Sequence, residues 1–134
     1  MNKFPEDAPR RYVVVDSDPY DSDRDAFYLY LNRTPGPDYA ARWLDDLEVA
    51  VEDLTGFPGP LSHARDEDAT DHYGREVRRL LYYGPTRKRS GTPVRVLFMI
   101  LPPDPAAPPE EAESVIFLLR LLHGAQRLLP EDEA

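Results

Sequence analysis

The chain has 134 residues, 41% of them hydrophobic and 31% charged, with a formal net charge of −9 and no cysteine. That length suits one domain with a core of its own, and the composition is that of a globular protein. The missing cysteines exclude a disulfide framework and a thiol nucleophile, and the acidic balance excludes whole-surface binding to nucleic acid, which needs a basic field against the phosphates. Met1–Arg11 is polar and holds Pro5 and Pro9, so a secretory signal is not expected, and no apolar run is long enough to cross a membrane. The expectation is a cytoplasmic protein, one domain over residues 1–134 with frayed ends around a core of residues 12–127.

Tyr12–Val15 is a β-branched run closed by Asp16-Ser17-Asp18-Pro19, which predicts a strand and a turn. Asp21, Ser22 and Asp23 then offer helix caps, and Ala26, Phe27, Tyr30 and Leu31 follow at helical spacing. Thr34-Pro35-Gly36-Pro37 reads as a turn into a second helix. That helix carries one apolar stripe of Ala40, Trp43, Leu44, Leu47, Ala50, Val51 and Leu54, with Trp43 expected in the core, and it stops at Gly56 and Pro58. Residues 56–74 read as a long acidic loop. Three strands are expected after it, at 75–83, 94–101 and 115–122. A basic loop joins the first two, and a proline-rich one the last two, with a helical turn at Glu110–Ser114.

Charge is distributed unevenly along this order. Residues 75–101 hold seven Lys/Arg against the single acid Glu76, a local net of +6, while residues 1–74 stand at −10 and residues 102–134 at −5. A chain that confines its positive charge to one predicted sheet points to that sheet as its working surface.

The fold class expected is α+β in the order β-α-α-β-β-β. The helix hairpin packs on one face of a small, mainly antiparallel sheet, and the other face stays partly open. Alternation along 94–101 sets Arg95 opposite to Val96 and Phe98. Arg79 shares the face of Arg95 if the register allows. Arg75 and Tyr83 have its parity, and Arg78 lies on the other side.

The sequence resembles the RelE/ParE family, the toxins of type II toxin–antitoxin systems. Four pieces carry the resemblance: the opening strand Tyr12–Val15 with its Asp- and aromatic-rich helix, the helix Pro37–Leu54 with its exit Leu54-Thr55-Gly56-Phe57-Pro58, the strand pair Glu76-Val77-Arg78-Arg79-Leu80 and Val94-Arg95-Val96-Leu97-Phe98, and the ending Leu119-Arg120-Leu121-Leu122-His123-Gly124-Ala125-Gln126-Arg127. The third is similar to the family's "RxL … YRVLF" and the fourth to its "VLHGAR". The loops 56–74 and 102–114 are longer than is usual for the family, and the net charge is more acidic.

The resemblance implies a growth-inhibiting toxin neutralised by a cognate antitoxin, with no cofactor. A ParE-like toxin binds DNA gyrase and is not an enzyme. A RelE-like one cleaves mRNA on the ribosome, with Arg95, Arg79 and His123 as the implied catalytic residues: the arginines steady the phosphate and the histidine serves as acid or base. No lysine stands in 75–83 and no tyrosine follows Arg127, so the gyrase-directed reading is preferred. A binding domain that kept the fold and lost the activity is the third reading. Surfaces for target or antitoxin would use Arg75, Arg78, Arg79, Arg87, Lys88, Arg89, Arg95, Arg120 and Arg127. Each of these also has a plain alternative as a solvated charge or surface salt bridge. For His123 the structural reading, ordering the C-terminus, is the preferred one, and Tyr82 and Tyr83 read as packing. Assembly as a homodimer or as a hetero-oligomer with the antitoxin stays open. His63, Asp66, Asp68, Asp71 and His72 match no compact metal-ligand spacing, so no metal is expected.

Overall fold

A computed structural model of the chain describes residues 11–86, 91–124 and 126–128. Its elements are β1 (Tyr12–Asp16), α1 (Asp18–Arg33), α2 (Pro37–Glu52), α3 (Glu67–Tyr73), β2 (Arg78–Tyr82), β3 (Val94–Leu101) and β4 (Ser114–His123). The architecture is α+β, with one open sheet in the order β1-β4-β3-β2. The pairing is mixed: β1 runs parallel to β4, whereas β2–β3 and β3–β4 are antiparallel.

Local chemistry sets the helix ends. Ser17 caps α1, its Oγ accepting the Tyr20 N–H at 3.1 Å and donating to the Leu119 carbonyl at 3.1 Å, so the cap also ties the helix to β4. The helix therefore starts ahead of Asp21, Ser22 and Asp23, and the caps expected there lie inside its first turns. Pro37 opens α2, as anticipated, and a 3-10 turn over Asp53–Thr55 carries it to Gly56.

The hairpin of α1 and α2 covers one face of the sheet. Trp43, Leu47, Val51 and Leu54 pack there against Val96, Phe98, Ile116, Leu118 and Leu121. Tyr82 belongs to this layer, its ring edge-on to Trp43 and its hydroxyl donating to Asp46 Oδ2 at 2.8 Å. It is a packing residue.

The other face differs from expectation. Leu97, Met99, Leu119 and Leu122 form a second apolar layer, closed by Ala69 and Val77 and flanked by Tyr73 and Leu128. The cover is α3, which lies inside the stretch read as a loop. Asp66 caps it through the Ala69 N–H at 3.0 Å, and Gly74 ends it at φ 72°, a conformation that favours glycine. Thr70 Oγ1 accepts the Val77 N–H at 3.0 Å, fastening the helix to the start of β2. The sheet face expected to be open is thus covered at the β2–β3 end by the chain itself.

Strand β2 is also shorter than the 75–83 predicted. Arg75 precedes it and Tyr83 follows it, so neither takes part in the parity argument. A short 3-10 turn at Pro109–Glu111 overlaps the helical turn expected at Glu110–Ser114, whose last residue instead opens β4. The basic tip Arg87, Lys88 and Arg89 lies outside the described residues.

The segment before α3 is pinned by Arg78, whose Nη1 donates to the carbonyls of His63 at 2.5 Å and Leu61 at 3.3 Å. His63 sits edge-on to Phe98. Burial, and then the nearby Arg78 charge, holds its pKa below the ordinary 6.5. Protonation therefore favours the unfolded chain, where the imidazole titrates normally. This stability is fully present above about pH 7 and falls as the pH drops through the unfolded value. Denaturant midpoints of wild type and His63→Gln, measured from pH 7.5 to 5, are expected to show the wild type losing stability faster, by less than one proton's worth of slope. Parallel curves would show that His63 titrates alike in both states.

Candidate functional site

The arginine-bearing face is built from adjacent strands. Arg79 lies opposite Leu97 and Arg95 opposite Leu81, so both arginines stand on the face away from the helix hairpin. They converge on one carboxylate. Asp66 Oδ2 lies 3.3 Å from Arg95 Nη1 and 3.8 Å from Arg79 Nη1, while its Oδ1 caps α3. Asp66 is only 5% exposed. A carboxylate this buried costs several kcal/mol to desolvate unless it is paired, and the two guanidiniums and the cap hydrogen bond meet that need.

Among the described residues, each arginine side chain also donates to a backbone carbonyl. Arg79 Nη1 donates to the Arg65 carbonyl at 2.8 Å, and Arg95 Nη2 to the Gln126 carbonyl at 2.6 Å. Gln126 in turn accepts the His123 N–H on its side-chain oxygen at 2.9 Å, so Arg95 holds the turn that follows β4. The pair keeps partial solvent access, with side chains 34% and 24% exposed. Beside Arg95 lies a hollow of about 120 Å³ that Asp68, His72 and Arg127 also line. His72 Nε2 is buried and has no hydrogen-bond partner among the described residues.

The remaining predicted residues lie elsewhere. Arg78 pairs with Phe98 across the ladder and so faces the hairpin side, where it braces the 61–63 segment. Arg75 is exposed ahead of β2. Arg120 sits at a bulge, because the β3–β4 pairing passes from Leu97↔Arg120 to Phe98↔Leu118 and skips Leu119. Its guanidinium grips both oxygens of Asp23, which also accepts the Leu121 N–H at 3.0 Å. Arg120 is a brace between α1 and β4. Arg127 is exposed but belongs to the Arg95 hollow.

His123 does not join the arginines. It pairs with Val94, whose side chain points at the hairpin, and its ring lies 4.6 Å from that of Phe27 and 6.3 Å from that of Tyr30. The implied trio of Arg95, Arg79 and His123 is therefore split between the two faces of the sheet.

Asp66, the centre of the site, is missing from the residues that sequence reasoning chose for binding or catalysis. A signal for it exists: Asp66 precedes Glu67-Asp68-Ala69, and Gly74 follows eight positions later, which is the punctuation of a capped helix. Of the five residues weighed as metal ligands, Asp66 is engaged with arginines, and no grouping of three or more His, Asp or Glu suited to a metal occurs among the described residues. No protein-family model, curated protein or solved structure matches the chain.

Two substitutions separate the roles of Asp66. Asp66→Ala removes both cap and charge and is expected to cost about 2–4 kcal/mol in denaturant unfolding. Asp66→Asn keeps an oxygen for the cap and loses only the charge, so roughly half of that loss is expected. Amide exchange should report faster opening at residues 69–73 in the alanine variant. Equal stability of both variants and the wild type would remove Asp66 as the keystone of this face.

Proposed function

We propose that this chain is a growth-restraining toxin of the RelE/ParE type, acting in the cytoplasm through protein contact with DNA gyrase and neutralised by a cognate antitoxin. One observation supports the reading above the others. The order β-α-α-α-β-β-β, with first and last strands side by side and the α1–α2 hairpin on one face, sets Arg79 and Arg95 together on the opposite face, beside the short α3. Those two positions lie within the segments that resemble the family's strand pair.

Contact chemistry is favoured over RNA cleavage for two reasons. A net charge of −9 repels a polyanionic target, and the arginine pair is already matched to Asp66. A planar guanidinium fork held at a fixed angle suits recognition of a carboxylate on a protein partner. The mRNA-cleaving reading draws its support from the hollow that Arg95, Arg127 and His72 share, and would substitute His72 for His123 as the proton carrier.

Induced expression of the chain alone in a bacterial host is the test. Colony formation is expected to collapse, and co-expression of the cognate antitoxin to restore it. Purified protein should inhibit gyrase supercoiling, with Arg95→Ala about tenfold weaker, the loss of one charge-assisted contact. Cuts mapped within mRNA, abolished by His72→Gln, would replace the gyrase reading with the ribosomal one. Normal growth at high expression would defeat both and leave a binding domain without toxicity.

A further inference from the structure

On the hairpin side, the outer edge of β2 borders two hollows of about 420 and 660 Å³. Both are lined by Ala50, His63 and Leu80, so they form one groove between the end of α2 and the segment 56–63. One end reaches Leu81. The Arg79 N–H points away from β3, donating to the Ala64 carbonyl at 3.0 Å. Alternate residues of an antiparallel edge strand aim their amides the same way, so the N–H and C=O of Leu81 also face outward. The other end is Phe57.

Phe57 is 99% exposed, on a turn that is built to stay in place. Gly56 N–H donates to Asp53 O at 3.1 Å, Ser62 Oγ to Gly59 O at 2.7 Å, and Arg78 clamps the carbonyls beyond. Leu81, which lines the other hollow, is 41% exposed. Two exposed large apolar side chains, one at each end of a single groove, are more than the scattered exposure of an ordinary surface. The rim is acidic: Glu52 and Asp53 line it, and Glu48 stands exposed one turn earlier on α2.

We propose that this groove docks an extended segment of a partner protein, aliphatic where it crosses Ala50 and Leu80 and basic where it passes Glu52 and Asp53. Phe57 is the anchor that the partner covers. The outward amide of Leu81 gives the segment a backbone to pair with, and the acidic rim selects its charge. This surface is separate from the Arg79–Arg95 face, and the inference stands without the toxin reading.

The test uses the purified full chain and a peptide of roughly 12 residues alternating lysine and valine, against glutamate–valine and lysine–serine peptides of equal length. Amide shifts should gather at Ala50, Leu80, Leu81 and the Phe57 turn with the lysine–valine peptide alone. Phe57→Ala is expected to weaken binding roughly tenfold. Its side chain makes no buried contact, so an unchanged melting curve should accompany that loss. The double reversal Glu52→Lys with Asp53→Lys should weaken binding at least about tenfold, and Glu110→Lys with Glu111→Lys, an equal charge change elsewhere, should leave it intact. Equal losses from both reversals, shifts spread over the acidic surface or gathered near Arg95, or no saturable binding, would each overturn the proposal.

Discussion

The two central strands are apolar on both faces, and that constraint organises the molecule. In β3, Val96 and Phe98 point one way and Leu97 and Met99 the other, and all four are buried. In β4, Leu118 and Leu121 oppose Leu119 and Leu122 in the same manner. A strand of that kind cannot sit at a water boundary, so each face demands a cover. The helix hairpin supplies one. The second comes from the 56–74 stretch, where a helix of seven residues closes the layer with little more than Ala69, Tyr73 and its bonds to Val77.

That second cover decides the electrostatics. Arg79 and Arg95 project from the face that α3 approaches, and a helix laid there without an anion would leave two guanidiniums partly desolvated and unpaired. Asp66 resolves the conflict by doing two jobs at once. It ends the run of orphan N–H groups at the helix start, and it neutralises the arginines. The positive surface implied by seven basic residues in 75–101 is reduced accordingly. Arg78 is spent on loop carbonyls, and the Arg79–Arg95 pair shares an internal carboxylate. An anionic partner of this face meets arginines that already hold an acid, so it must match the geometry of Asp66 or displace it.

Periodicity and punctuation made much of the fold legible. The stripe from Ala40 to Leu54 and the alternation from Val94 to Leu101 are long, regular signals, and they mark α2 and β3 at nearly their observed bounds. The hairpin on one face followed from them. The second cover did not, because α3 is short and has one fully buried apolar residue, Ala69, too few for a stripe. Its caps were readable, but an acidic stretch without periodicity resembles a loop. Ser17 was hidden for a related reason: three Asp/Ser candidates stand close behind it, and only its bond to the Leu119 carbonyl selects it. The shared face of Arg79 and Arg95 was legible by parity, whereas their meeting at Asp66 depends on a long-range approach that no spacing encodes. His123 followed alternation to the hairpin side, where Phe27 and Tyr30 receive it, so the family-implied trio separates.

The two sides of the molecule now have opposite characters. The α3 side presents arginines around a buried acid. The α2 side presents acids around an apolar groove with one uncovered phenylalanine. The short β2 ladder lies between the two surfaces. The edge itself is half closed, since the Arg65↔Arg78 bridge and the bond from Arg79 to Ala64 occupy its first residues. Among the described residues of β2, Leu81 is the outward-facing position past those contacts. A strand added there would gain little ladder from this edge, so affinity for the proposed segment would rest on the side chains it lays against Phe57, Glu52 and Asp53.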